Sequence, residues 1–258
     1  MARSSGAPQD LLVRETAGAL MSFRDDPSGL VTACRRIVSR QLTSGSMWWL
    51  CSRILCAPEP WAEARAAVDE IEGDTTARAL AGALADDCSA VVLGWQSLVA
   101  DGVARRGDVE VLVVDVLGEA MSFVRHLGSR DVMAVEVPLS GLGAACANAD
   151  VVIIEPSAVG PDEFIGVAGS RAAAAVARDA GVPVWLVVGV GRVLPGRVWQ
   201  ALVSRLDLGD EPWDSDDEVV PLSLVDRVVG PTGLGSVADL VARTDCPIAP
   251  ELFKPDIT

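Results

Sequence analysis

Residues Ala149 to Val188 read ADVVIIEPSAVGPDEFIGVAGSRAAAAVARDAGVPVWLVV. Val151 to Ile154 is a short β-branched run of the kind buried on both faces of a parallel sheet. Gly169-Ser170 opens an alanine-rich helix that stops at Gly181, and Pro183 to Val188 supplies the next strand. One βαβ unit of this length implies a right-handed crossover. The strand-end segment from Glu155 to Ser170 reads as a glycine-punctuated loop, where open α/β sheets place ligands.

Outward from this unit, strands alternate with helical segments. Ala90 to Leu93, Val109 to Val116, Val132 to Val137, Val184 to Val188 and Asp226 to Val229 read as further strands. Trp95 to Arg105, Glu119 to Leu127, Ser140 to Asn148, Ser170 to Ala180 and Ser236 to Arg243 are long enough for crossover helices. The fold class expected is α/β, a doubly wound parallel sheet. Before Asp86 the apolar residues recur at helical spacing, with breaks at Asp26-Pro27-Ser28-Gly29 and Ala57-Pro58-Glu59-Pro60, predicting three or four helices. The expected organisation is a helical amino-terminal domain over 1–86 and a Rossmann-like domain over 87–258.

The chain has 258 residues, half of them hydrophobic, enough for a sizeable core. Its 36 acidic and 21 basic residues give a net charge of −15, which disfavours nucleic acid and anionic membrane surfaces as partners. The start, MARSSGAPQDLL, lacks the apolar core of a signal peptide, and no apolar run reaches the roughly 20 residues of a membrane span. A cytoplasmic protein is expected. Six scattered cysteines with no CxxC pair read as reduced, buried thiols, neither a disulfide framework nor a zinc site. Between Asp207 and Glu218 lie seven acids and no base, read as a solvated loop without the pattern of a calcium loop.

Motifs with chemical meaning are few. Gly189-Val190-Gly191 follows a strand, but the third glycine of a dinucleotide turn is misplaced and Pro195 follows, so a glycine turn before a short helix is expected. His126 is the single histidine; with Arg125 it falls near a helix C-terminus, where a cation is stabilising. Trp48 and Trp49 read as packing between the helical region and the α/β part. Gly169-Ser170 reads as an N-cap, with backbone N–H groups that can attract an anion.

Four stretches resemble a known family. They are Ala90 to Ser97, Val111 to Glu119, Glu155 to Ser170, and Val219 to Leu222 with Asp226, Val228, Pro231 and the closing Leu240 to Leu252. The family unites the alpha, beta and delta regulatory subunits of translation initiation factor 2B with methylthioribose-phosphate isomerase and ribose-1,5-bisphosphate isomerase. The resemblance implies the NagB/RpiA-type, Rossmann-like fold and a homo-oligomer.

The chemistry of the isomerases does not carry over. Where they have a cysteine after Thr-His, this chain has Gly94 after Val92-Leu93. Their Gly-Ala-Asp aspartate is Ser157, their Asn-Lys pair is Gly166-Val167, and Val116-Leu117-Gly118 follows Asp115 in place of Ser/Thr-Arg-Pro. Moving a proton between sugar carbons needs an acid and a base with tuned pKa values, which glycine and serine do not supply. Phosphate affinity also falls without cationic contacts. The resemblance therefore implies no catalytic residue, no metal and no cofactor, and a binding or assembly role. A small sugar or nucleotide ligand would bear on Gly94, Gln96, Ser97, Asp115, Glu155, Ser157, Gly169 and Ser170. The competing expectation is a sugar-phosphate isomerase with a relocated site that uses Asp115 or Glu155 as base.

Overall fold

A computed structural model of the chain describes residues 9–206, 211–243 and 245–254. The acids Asp207 and Asp210 and the first eight residues, on which the sequence reading also drew, lie outside them. Five helices come first: α1 (Gln9–Leu20), α2 (Pro27–Arg40), α3 (Gly45–Cys56), α4 (Pro60–Glu72) and α5 (Thr76–Ala83). The count exceeds the expected three or four because the chain also breaks at 41–44 and 73–75, besides the two expected breaks, whose turn-like sequences act as helix starts. Pro27 and Pro60 take the first helical position, which has no use for an N–H, and the Asp26 side chain accepts from Gly29 N at 2.9 Å.

Strands and helices then alternate: β1 (Ser89–Leu93), α6 (Ser97–Val103), β2 (Glu110–Asp115), α7 (Ala120–Gly128), β3 (Met133–Pro138), α8 (Leu142–Asn148) and β4 (Val151–Ile154). After β5 (Ala158–Val159) and β6 (Glu163–Val167) come α9 (Ser170–Ala180), β7 (Val184–Val187) and α10 (Gly196–Val203). The chain closes with β8 (Asp217–Pro221), β9 (Arg227–Gly230), β10 (Gly233–Gly235) and α11 (Val237–Val241). Helix α9 starts and stops sharply because Gly169 and Gly181 adopt the left-handed conformation at φ 91° and 75°.

The main sheet has seven strands in the order β10-β9-β7-β4-β1-β2-β3, parallel except for β10, which forms an antiparallel edge. The chain winds outward through β2 and β3, then returns to the other side of β1 with β4. The gap between the carboxyl ends of β1 and β4 is therefore the topological switch point, where a crevice opens. The six strands expected from β-branched runs are all present.

A second sheet departs from the sequence reading. Strands β5, β6 and β8 pair antiparallel, so the segment read as a loop after Glu155 contains a hairpin, and the acidic stretch ends in strand β8. Glycine at 160 and 166 obscured the strand pattern, and β5 is only two residues long. Both glycines answer to packing: a Cβ at 160 would meet the Trp199 ring at 2.3 Å, and one at 166 would meet Ser170 Oγ at 2.8 Å. Upstream of β8 the acidic stretch is open to solvent at Trp213, which is 76% exposed.

Trp48 and Trp49 are fully buried in a cluster that also holds Ala158, Ile165, Val190 and Trp199, so the helical region and the α/β part share one core. Cys246, Ala249 and Leu252, near the end of the chain, join this cluster. Five cysteines are buried free thiols as expected, but Cys56, in the last turn of α3, is exposed. Its neighbour Leu55 is itself half-buried and faces a different direction on the helix. Among the described residues no helix is long and apolar enough to cross a membrane.

Candidate functional site

At the switch point lies a cleft of about 230 Å³ between the carboxyl ends of the sheet strands and the helical region. The sheet side contributes Trp95, Gln96, Ser97, Glu155, Ser157 and Arg192, and the helical side contributes Gln9 and the turn between α2 and α3. That turn is held against the site by Gly45 N, which donates to the Ser157 carbonyl at 2.9 Å. A Cβ at Gly45 would lie 3.0 Å from the carbonyl oxygens of both Ser157 and Arg192, so close approach requires glycine there.

Sequence reasoning missed Arg192, the most consequential side chain in the cleft. Val159 and Val193 form a bridge in which Val159 N donates to the Arg192 carbonyl and Leu194 N to the Val159 carbonyl, both at 2.8 Å. This bridge brings Arg192 beside Ser157 and Glu155. Its Nη2 donates to Glu155 Oε1 and its Nη1 to the Pro156 carbonyl, both at 2.6 Å. The side chains of Arg192 and Glu155 are 6% and 7% exposed, so this is a buried, charge-assisted pair. The Gly189-Val190-Gly191 turn gave no hint of a partner 37 positions away. Its glycines are structural: Val190 N donates to Asp74 Oδ2 at 2.9 Å, a Cβ at 189 would lie 2.5 Å from that oxygen, and Gly191 has φ +77° against Trp49.

Glu155 has a second engagement. Its Oε2 accepts from Leu98 N at 2.9 Å and Val99 N at 3.3 Å in the first turn of α6. A carboxylate of the chain thus sits where the partial positive charge of the helix start would otherwise face a ligand. The pattern recurs along this edge of the sheet. Ala120 N, at the start of α7, donates to Asp115 Oδ1 at 3.3 Å, and Arg171 N, at the start of α9, donates to Glu218 Oε1 at 2.7 Å.

The eight residues expected to bear on a ligand divide into two groups. Gln96, Ser97, Glu155 and Ser157 line the cleft together. Gly94, Asp115, Gly169 and Ser170 do not line it. Gly94 has φ +59° and makes the turn out of β1, a conformation suited to glycine. Ser170 is fully buried, and its hydroxyl donates to the Val167 carbonyl at 2.6 Å. Glu119, from the turn after β2, joins the cleft wall.

Trp95 rests on Phe123 and His126 at ring-centroid distances of 5.1 Å, so the single histidine packs against the back of the cleft. Burial pushes the Cys146 thiol up to about 11. Among the described residues no group of three or more metal-ligating side chains converges.

No protein-family model and no curated protein matches this sequence. Solved structures do. The translation initiation factor eIF-2B of Pyrococcus horikoshii OT3 is 14% identical, with a TM-score of 0.78 over 92% of this chain and 95% of that one. The eIF2B beta subunit of Chaetomium thermophilum is 16% identical, with a TM-score of 0.68 over 91% of this chain and 83% of that chain. A chain of the tetrameric eIF2B-beta2-delta2 complex of C. thermophilum is also 16% identical, with a TM-score of 0.72 over 92% and 88%. At these identities the likeness establishes the fold: the chain is built like an initiation factor 2B subunit.

Proposed function

We propose that this protein is an initiation factor 2B-like member of the sugar-phosphate isomerase scaffold that serves a binding or assembly role and does not turn over a substrate. The observation that carries the reading is Glu155. Its carboxylate lines the cleft, and both its oxygens are already engaged, one by Arg192 and one by two backbone N–H groups. With three donors on its two oxygens, Glu155 is committed to holding Arg192 and the first turn of α6. Asp115, the other candidate base, stands outside the cleft lining and accepts from Ala120 N.

Phosphate recognition is disfavoured by the same contacts, since the starts of α6, α7 and α9 receive a carboxylate from within the chain. Assembly through the α/β part is supported by edge strand β3, where Met133 and Val135 are 66% and 47% exposed on an unpaired sheet edge. The decisive assay incubates purified protein with ribose-1,5-bisphosphate and with methylthioribose-1-phosphate and follows ketose formation. The account expects none above background, and measurable conversion of either would end it.

A further inference from the structure

The ionisable side chains lining the cleft are Glu119, Glu155 and Arg192. Glu155 and Arg192 are ion-paired, which leaves Glu119 as the charge without a counterpart. Its backbone carbonyl accepts from Ser122 N and Phe123 N at 3.0 Å as α7 begins, but its side chain makes no cap hydrogen bond. Among the described residues the carboxylate of half-buried Glu119 has neither a hydrogen bond nor an ion pair. Trp95 stands at the same end of the cleft. Its ring packs on Phe123 at a centroid distance of 5.1 Å, and Phe123 lies one turn along α7 from Glu119, on the same face of the helix.

We infer that this end of the cleft binds a small organic cation, an ammonium compound held by Glu119 and Trp95. The assignment rests on the non-catalytic reading and names what that site takes. A carboxylate attracts a cation more strongly as water is excluded around it, and the face of an indole attracts one within about 6 Å of the ring centroid. The hydroxyls of Ser97 and Ser157, in the same wall, can accept from ammonium N–H groups.

Other ligand classes fit the same wall less well. An anion would meet Glu119 and find Arg192 already engaged by Glu155 and the Pro156 carbonyl. A metal ion calls for several convergent ligands, and among the described residues no group of three or more metal-ligating side chains comes together. A neutral compound would leave the Glu119 carboxylate uncompensated. About 230 Å³ falls below the roughly 300–1,000 Å³ of pockets that hold drug-sized ligands, so the occupant is small. The net charge of −15 draws cations toward the protein as a whole.

The test is calorimetric titration of the full-length protein with choline, ethanolamine and agmatine, alongside dimethylbutanol, the uncharged carbon isostere of choline. At least one of the three cations is expected to bind saturably, and the isostere at least about fivefold more weakly than choline if choline binds. Glu119→Gln is expected to weaken cation binding about fivefold or more; because the side chain caps nothing, this change leaves the start of α7 intact. Trp95→Leu should weaken it similarly, and Trp95→Phe, which keeps an aromatic face, should restore part of the loss. Absence of saturable binding by all three cations overturns the inference, as does an isostere that binds as tightly as choline, or unchanged affinity in Glu119→Gln. The isomerase assay reads the broader function separately. Turnover would end that reading, whereas no turnover combined with no cation binding would end this inference alone.

Discussion

Replacing Arg192 by methionine removes the guanidinium from a buried pair and leaves Glu155 with fewer partners. Breaking such a pair by deleting one side costs about 3–5 kcal/mol, because the remaining charge stays buried. Glu155 keeps the Leu98 and Val99 N–H groups, so the loss should fall near the lower end, about 3 kcal/mol. The Pro156 carbonyl also loses its donor, which adds to the cost. In a domain of this size each kcal/mol moves the melting temperature by about 2–4 °C, so the variant should melt about 6–12 °C lower. Urea denaturation monitored by far-UV circular dichroism gives the same quantity through the midpoint, with an unchanged slope. Glu155→Gln tests the other side, and the double variant should lose less than the sum of the two single losses, by about 1 kcal/mol or more. Arg192→Met within about 0.5 kcal/mol of wild type, the range of ordinary surface changes, would refute the claim that the pair organises the cleft.

Three further outcomes follow from particular contacts. Gly160→Ala forces a methyl group into the Trp199 ring and should destabilise by about 1–3 kcal/mol in the same denaturation assay, whereas Gly18→Ala, with open space around the position, should not. A thiol reagent added to native protein should label Cys56 and spare the five buried cysteines until denaturant is added; rapid labelling of more than one thiol would contradict the packing. In acid, Ser89 N and Oγ, both 2.8 Å from Asp150 Oδ2, hold that carboxyl below its usual value. A depressed folded pKa contributes stability that is present above the unfolded value of about 3.9 and is lost as pH falls through the folded one. Asp150→Asn should therefore flatten the acid limb of the stability profile below about pH 4, and an unchanged limb would count against the link between β1 and β4.

The sequence made the main sheet legible because its strands are continuous β-branched runs at Val91-Val92, Val113-Val114 and Val151 to Ile154, buried on both faces. It made the second sheet illegible because glycine and acidic residues interrupt β6 and border β8. Positions 160 and 166 are glycine for reasons visible only when Trp199 and Ser170 are in place. Half of the candidate site was recoverable: the resemblance led to Gln96, Ser97, Glu155 and Ser157, which do meet in one cleft. Arg192 was not, because its role depends on a bridge between Val159 and Val193 that no local pattern announces. Glu155 was recognised as an acid, but its engagement with α6 requires β1 and β4 to lie side by side at the switch point. Gly169 and Ser170 looked like an anion cradle, yet Glu218 in β8 reaches the same helix start from 47 positions away.

The central claim is that carboxylates of the chain itself occupy the places where a phosphate would be held. Titration of ribose 5-phosphate into wild-type protein and into Glu155→Gln tests it most directly. The account predicts no saturable binding to wild type and a measurable gain in the variant, in which Arg192 and the first turn of α6 lose their carboxylate partner. Tight binding of the phosphate ester to wild type, weakened or unchanged in the variant, would contradict it.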